Sequence, residues 1–244
     1  MFNLLYTELL KMKNSKMFLV SLLGSLVSPL LTFFMLTENS KNYPDKNPIL
    51  ENFFEQTQLF IAFLVGIMLF ALITTYLFNR EFEEDTLKNL LTIPVGRIKL
   101  ILSKMLILLI WVETIMVFSY LLVVFLGLIG GFEGFEINIL LLTFKKYIFT
   151  GFLLYLLTPV IILFTILFRS YIPSIALSIF ATLTTLVLIN SKYLALFPWG
   201  VPVLLSSGTF QFEYPLIISW IILIATFTIS LATSLIYFAR TDIN

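Results

Sequence analysis

Histidine and cysteine are both absent from the 244 residues. Without cysteine there is no disulfide and no thiol redox chemistry, and zinc catalysis loses its commonest ligands. Charge is nearly as scarce: Asp, Glu, Lys and Arg make up 12% of the chain. A soluble domain has about twice that, so polar surface is too limited to cover a water-soluble globule. The three aspartates, Asp45, Asp85 and Asp242, fall outside the apolar runs, which excludes a pair of intramembrane aspartates working as acid and base. No G-x-x-x-x-G-K-[ST] string occurs, so the chain lacks the usual loop for cradling nucleotide phosphates. Fifteen basic residues balance fourteen acidic ones, and no nucleic-acid partner is expected.

What fills the chain is hydrophobic: 59% of residues, including 26 Phe. The apolar runs approach the ~20 residues a helix needs to cross ~30 Å of hydrocarbon. They predict an all-α integral membrane protein with one transmembrane domain over 1–244 and spans at about 17–36, 57–78, 104–129, 147–168, 171–190 and 215–239. Six spans put both termini on one side. Ten basic residues (Lys11, Lys13, Lys16, Arg80, Lys88, Arg97, Lys99, Lys104, Arg169 and Arg240) fall on that side and five (Lys41, Lys46, Lys145, Lys146 and Lys192) on the other. The positive-inside rule then makes both termini cytoplasmic. The first run reads as a retained span rather than a cleaved leader, because it is long and no A-x-A-like site follows.

The connections on the far side have no length for a folded external domain. Residues 137–144 are apolar but too short to span, and read as an interfacial lead into the fourth span. Residues 191–214, with Pro198, Trp199, Gly200 and Pro202, combine helix breakers and aromatic anchors. They suit an interfacial segment or a partly re-entrant hairpin.

On the termini side, Phe2, Leu5, Leu9 and Met12 recur at helical spacing, with Glu8, Lys11 and Ser15 on another face. This predicts an amphipathic helix lying along the membrane surface, either as a charged anchor that fixes topology or as a contact for a cytoplasmic partner. Between the second and third spans, acidic residues up to Asp85 precede an apolar stripe of Leu87, Leu90 and Leu91, and Pro94 with Gly96 ends the pattern. Acids first, leucines at helical spacing and a terminating proline predict a short cytoplasmic helix. Such a helix either solvates a turn or docks in a groove of a soluble protein.

The string Glu-x-x-x-x-Thr-Leu-Lys-x-Leu-Leu-x-x-Pro-x-x-Arg, from Glu81 to Arg97, resembles the loop between the second and third spans of type-2 ABC exporter permeases. The likeness extends over nearly the whole chain: amphipathic start, six spans, short outer loops and no nucleotide site. Permeases of bacitracin-resistance and lantibiotic-immunity transporters are the nearest relatives it suggests, and exporters of amphipathic bacterial peptides more loosely. The resemblance implies a bacterial plasma-membrane permease paired with a second copy or a paralogue and energised by a separate ABC ATPase. No cofactor would be bound by this chain; ATP and Mg would sit on the partner. Carried over by position, Glu83, Glu84, Asp85, Thr86, Leu87, Lys88, Leu90 and Leu91 would contact the ATPase, with Pro94 and Arg97 shaping the exit. Membrane lipid and an amphipathic peptide or other hydrophobic substrate complete the implied partners.

Inside the expected spans one acid remains, Glu113, nine residues beyond Lys104, which at 1.5 Å per residue is roughly 14 Å along the helix. A carboxylate at that depth costs about 2.5–3.5 kcal/mol on insertion scales. Glu113 either lines a central pathway that attracts a cationic substrate or stays neutral and hydrogen-bonds a neighbouring span. With no basic residue in an expected span interior, an ion pair there is not expected. Ser174, Ser178, Ala181 and Thr185 in the fifth span, and Ser219, Thr226, Ser230 and Thr233 in the sixth, mark faces for close helix packing. Thr158-Pro159 predicts a kink in the fourth. Besides the ATP-driven permease, an ATPase-independent channel or ion-coupled transporter using Glu113 fits the same pattern.

Overall fold

Hydrocarbon offers a crossing backbone no water, so apolar runs of this length close their hydrogen bonds within helices. The computed structural model describes residues 2–13, 15–42, 48–83, 97–206 and 214–240. In chain order these form α1 (Phe2–Lys13), α2 (Lys16–Ser25), α3 (Val27–Asn42), α4 (Leu50–Phe60), a π-helical turn (Ile61–Val65), α5 (Gly66–Glu83), α6 (Arg97–Ile129), α7 (Ile137–Tyr155), α8 (Thr158–Phe168), α9 (Tyr171–Leu188), a 3₁₀ turn (Lys192–Leu196), α10 (Gly200–Ser206) and α11 (Leu216–Arg240). Six stretches are long and apolar enough to cross a membrane: Lys16–Ser40, Leu50–Arg80, Ile98–Ile129, Ile137–Phe168, Tyr171–Leu188 and Leu216–Ala239. The fold is an all-α integral membrane architecture.

Three spans begin several residues earlier than the hydropathy alone predicts. The second begins at Leu50 rather than 57, the third at Ile98 rather than 104, and the fourth at Ile137 rather than 147. Residues 137–144 are therefore no separate interfacial piece but the first turns of α7. A helix of 32 residues is about 48 Å long and outreaches ~30 Å of hydrocarbon by several turns. The overhang carries charge: Glu55 of α4 and Lys146 of α7 pair at 3.2 Å while remaining 35% and 39% exposed. This ion pair joins the second and fourth spans at the overhang, outside the span interiors for which the sequence predicts none.

Local chemistry sets the breaks. The Ser15 Oγ accepts from the Met17 N–H at 3.1 Å and caps the first span. Pro159, near the start of α8, has no N–H for the Tyr155 carbonyl four residues earlier, and the Thr158 hydroxyl donates to that carbonyl at 2.7 Å instead. The kink expected at Thr158-Pro159 is this break between α7 and α8. In the second span the π-helical turn ends at Gly66, where a Cβ would come within 2.4 Å of the Ile61 carbonyl oxygen.

On the side remote from the termini, Ile49 and Glu133 form a β-bridge. Phe132 stacks on Phe33 and tilts against Phe53, closing that end of the bundle. Residues 192–206 fold back into the protein: Trp199 lines a small cavity with Gly66, Ile67, Phe70 and Ala71, halfway along the second span. Of the two readings of this segment, the inward packing favours the re-entrant one, and buried Val201 packs with Leu153, Leu157 and Leu223. Irregular backbone is tolerated here because protein surrounds it.

The second, third and fourth spans are the most enclosed, and the first, fifth and sixth are peripheral. Trp111, Ile107, Leu108, Ile115 and Met116 of α6 are all fully buried. Between spans the adhesive is polar. Tyr120, Tyr147 and Tyr155 donate to the carbonyls of Leu140, Phe54 and Met105, Trp111 donates to Ser21 at 3.0 Å, and Thr165 bonds Ser174 at 2.8 Å.

Candidate functional site

The expected coupling element, Glu84 to Gly96 with Asp85, Thr86, Leu87, Lys88, Leu90, Leu91 and Pro94, lies outside the described residues. Glu83 ends α5 and Arg97 starts α6; their side chains also lie outside what is described. What the structure does describe is how the two roots of that loop are held.

Lys104, one full turn and more into α6, is 3% exposed. A buried ammonium needs acceptors for its protons and a counter-charge. It donates to the Leu77 carbonyl of α5 at 2.8 Å, lies 3.5 Å from the Glu8 carboxylate of α1, and sits 5.7 Å above the Phe78 ring. Glu8 in turn accepts from Lys11 at 3.0 Å. One cation thereby ties α1, the end of the second span and the start of the third into a single clamp.

Glu8 itself is 4% exposed. Burial pushes its carboxyl up, but the Lys104 and Lys11 ammonium groups beside it outweigh burial and hold it below its ordinary 4.5. The helical pattern of α1 placed Glu8 with Lys11 and Ser15 on a polar face; the structure turns Glu8 inward and leaves Leu9 and Leu10 about 40% exposed. The reason is Lys104, ninety-six residues away, whose charge requires neutralising. Its spacing from Lys11 is visible in the sequence, but the partner on α6 is not. The other root is braced by Arg169, whose guanidinium sits 5.8 Å above the Phe82 ring. Arg169 adopts a left-handed φ of 49° at the end of α8.

Glu113 faces the fourth span. A Cβ on Gly151 would come within 3.2 Å of both its carboxylate oxygens and 2.7 Å of Met116 Cγ. Glycine there is what lets the α6 carboxylate approach α7 closely. The Glu113 Oε2 is buried and has no hydrogen-bond partner among the described residues. Beside Gly151, Thr150 accepts from the Gln58 amide at 2.6 Å, and the same amide reaches the Lys146 carbonyl at 3.2 Å. Acid, glycine and a neighbouring amide-hydroxyl pair thus gather on facing spans. The sequence identified Glu113 by its isolation but contained no sign of Gly151 as its neighbour. Glu113 lies within α6, well away in sequence from Glu83 and Arg97 at the ends of α5 and α6. Groups of three or more His, Cys, Asp or Glu arranged to hold a metal are absent among the described residues.

A family model described as ABC-2 family transporter protein matches residues 4–185, from α1 to the end of the fifth span. The Bacitracin transport permease protein BCRB of Bacillus licheniformis is 43% identical over 202 residues, which is 83% of this chain and 97% of the relative.

Proposed function

The chain belongs to the ABC-2 transporter family, and from that premise we propose that it is the membrane half of an ATP-driven exporter that moves amphipathic or antimicrobial peptides, or related hydrophobic compounds, out of the cell or its membrane. The coarser statements follow from the family and the six apolar helices: a multi-pass membrane transport subunit, an ABC transporter permease, rather than an enzyme.

In this reading a separate ATPase, holding ATP and Mg, docks on the segment from Glu83 to Leu91, with Pro94 and Arg97 shaping its exit. A second copy or paralogue completes the pathway. The chain sits in a bacterial plasma membrane with both termini in the cytoplasm. The observation that carries the proposal is the clamp at the roots of that segment. A push on a loop moves helices only if its ends are rigidly joined to them, and the Glu8–Lys104–Leu77 contacts make α1, the second span and the third span one body. In this reading Glu113 belongs to the substrate route, where a carboxylate would attract cationic cargo; its unsatisfied oxygen beside Gly151 supports the assignment.

Two measurements test this. Co-purification with a co-expressed partner ABC ATPase should survive in wild type and fail in Leu90→Asp, since a charge in the apolar stripe disfavours docking in a groove. Transport by the purified chain in liposomes without any ATPase would overturn the proposal in favour of an ion-coupled carrier. For Glu113, Gln and Ala variants at equal expression should lose resistance or transport; retention of wild-type levels removes it from the pathway.

A further inference from the structure

The outward face of the third span is apolar along its length except at one level. Leu102, Leu106, Ile110, Leu121, Phe125 and Leu128 of α6 are exposed at helical spacing, a stripe turned to hydrocarbon. Between Ile110 and Leu121 this stripe is interrupted by Glu113, which is partly buried, and Thr114, which is exposed. Across from them Gly151 of α7 carries no side chain and lets the Glu113 carboxylate lie against α7. Phe152, the next residue of α7, is exposed. Ile110 on one side and Phe152 on the other thus rim a groove whose floor is Glu113 and Gly151.

Both ends of the groove are crossed by contacts between the same two helices. Toward the side remote from the termini, Tyr120 of α6 meets the Phe144 ring of α7 edge-on at 5.2 Å and donates to the Leu140 carbonyl. Toward the termini, Tyr155 of α7 donates to the Met105 carbonyl of α6 at 3.2 Å. The remaining opening is sideways, into hydrocarbon. There the Glu113 Oε2 is buried without a hydrogen-bond partner, and no cation of the described residues sits beside the carboxyl. A carboxylate so placed lacks both its counter-charge and its donors. An ammonium brings a compact charge and three N–H donors. A divalent metal would need further oxygen ligands, and groups of three or more acids arranged to hold one are absent among the described residues.

We propose that the groove between the third and fourth spans is a lateral entrance from the bilayer for an amphiphile bearing a primary amine, its ammonium on Glu113 and its alkyl part along Ile110 and Phe152. This rests on the reading of Glu113 as part of the substrate route and adds where cargo enters and what chemistry admits it. Charge complementarity selects the amine, and the apolar rims select its alkyl chain over a small hydrated cation.

The test is carbodiimide labelling of the full-length chain in liposomes, with Glu113 followed by peptide mass spectrometry. Lipophilic dicyclohexylcarbodiimide should label Glu113, whereas water-soluble ethyl-dimethylaminopropyl carbodiimide should not. Glu51, exposed at the far-side end of the second span, should show the reverse preference. Dodecylamine should slow Glu113 labelling about 10-fold more than dodecanol, the lower end of what a hydrogen bond to a charged group contributes. Ile110→Trp, which narrows the groove with the carboxyl intact, should suppress labelling by the lipophilic reagent, and Leu128→Trp, far along the same face, should not. Unchanged Glu51 labelling shows that each variant is folded. Equal labelling of Glu113 by both carbodiimides means access from water; it overturns the lateral entrance and leaves the permease reading standing. No labelling by either, equal protection by dodecanol, or full labelling of Ile110→Trp also overturns it. Loss of transport in Glu113→Gln remains the separate test of whether this carboxyl belongs to the substrate route at all.

Discussion

A single buried ammonium has large consequences in this chain because its charge cannot be left unpaired. Replacing Lys104 by Met leaves Glu8 with Lys11 alone and frees the Leu77 carbonyl. Unfolding in detergent should show a loss of about 3 kcal/mol, the lower end of the range for breaking a buried ion pair. The double variant Glu8→Gln/Lys104→Met should recover part of it, because neither group then carries an uncompensated charge. At Gly151 the effect is steric. An alanine methyl would meet Met116 Cγ at 2.7 Å and the Glu113 oxygens at 3.2 Å, so Gly151→Ala should destabilise by about 1–3 kcal/mol. The same unfolding measurement checks it, and Gly131, whose Cβ would meet nothing within 4 Å but whose φ of 67° favours glycine, is the contrasting site of backbone rather than packing strain.

At the scale of elements, α1 is held by titratable groups and so responds to pH. The Glu8 carboxyl is held below its ordinary 4.5 in the fold, so its contribution is complete above that value and is lost as pH falls through the lower, folded one. Hydrogen exchange of α1 amides in lipid nanodiscs should show protection that is constant near neutrality and declines well below pH 4.5, and Glu8→Gln should remove that dependence. In the fourth span, Thr158→Val deletes the donor that replaces the missing Pro159 N–H. The Tyr155 carbonyl, in a residue that also bonds Met105 across spans, is then orphaned. A loss of about 1–3 kcal/mol is expected by thermal denaturation. The kink itself was readable from Thr158-Pro159; the compensation by the preceding hydroxyl was not, since it depends on the rotamer adopted at the break.

For the whole molecule, the absence of cysteine makes topology directly measurable. A single cysteine at Ser191 or Glu133, in the far-side connections, should react with a membrane-impermeant maleimide on intact cells. One at Thr7, exposed on α1, should react only after permeabilisation. Labelling of Thr7→Cys from outside would invert the proposed orientation.

The number and approximate place of the spans were legible because crossing hydrocarbon is a local requirement: each run must satisfy its own backbone, whatever the neighbours do. The same holds for the amphipathic start, the helix break at Pro159 and the residue string from Glu81 to Arg97 that revealed the family. Which side chains meet was decided only in three dimensions, by how each helix is rotated and offset against the next. That rotation buries Glu8 against Lys104 rather than leaving it on the polar face of α1. It brings Gly151 against Glu113, and joins Glu55 to Lys146 across two helices that overrun the hydrocarbon. Lys11, Lys16 and Arg80, which the sequence could only count toward a total, are gathered by α1 and the antiparallel first and second spans around one cavity.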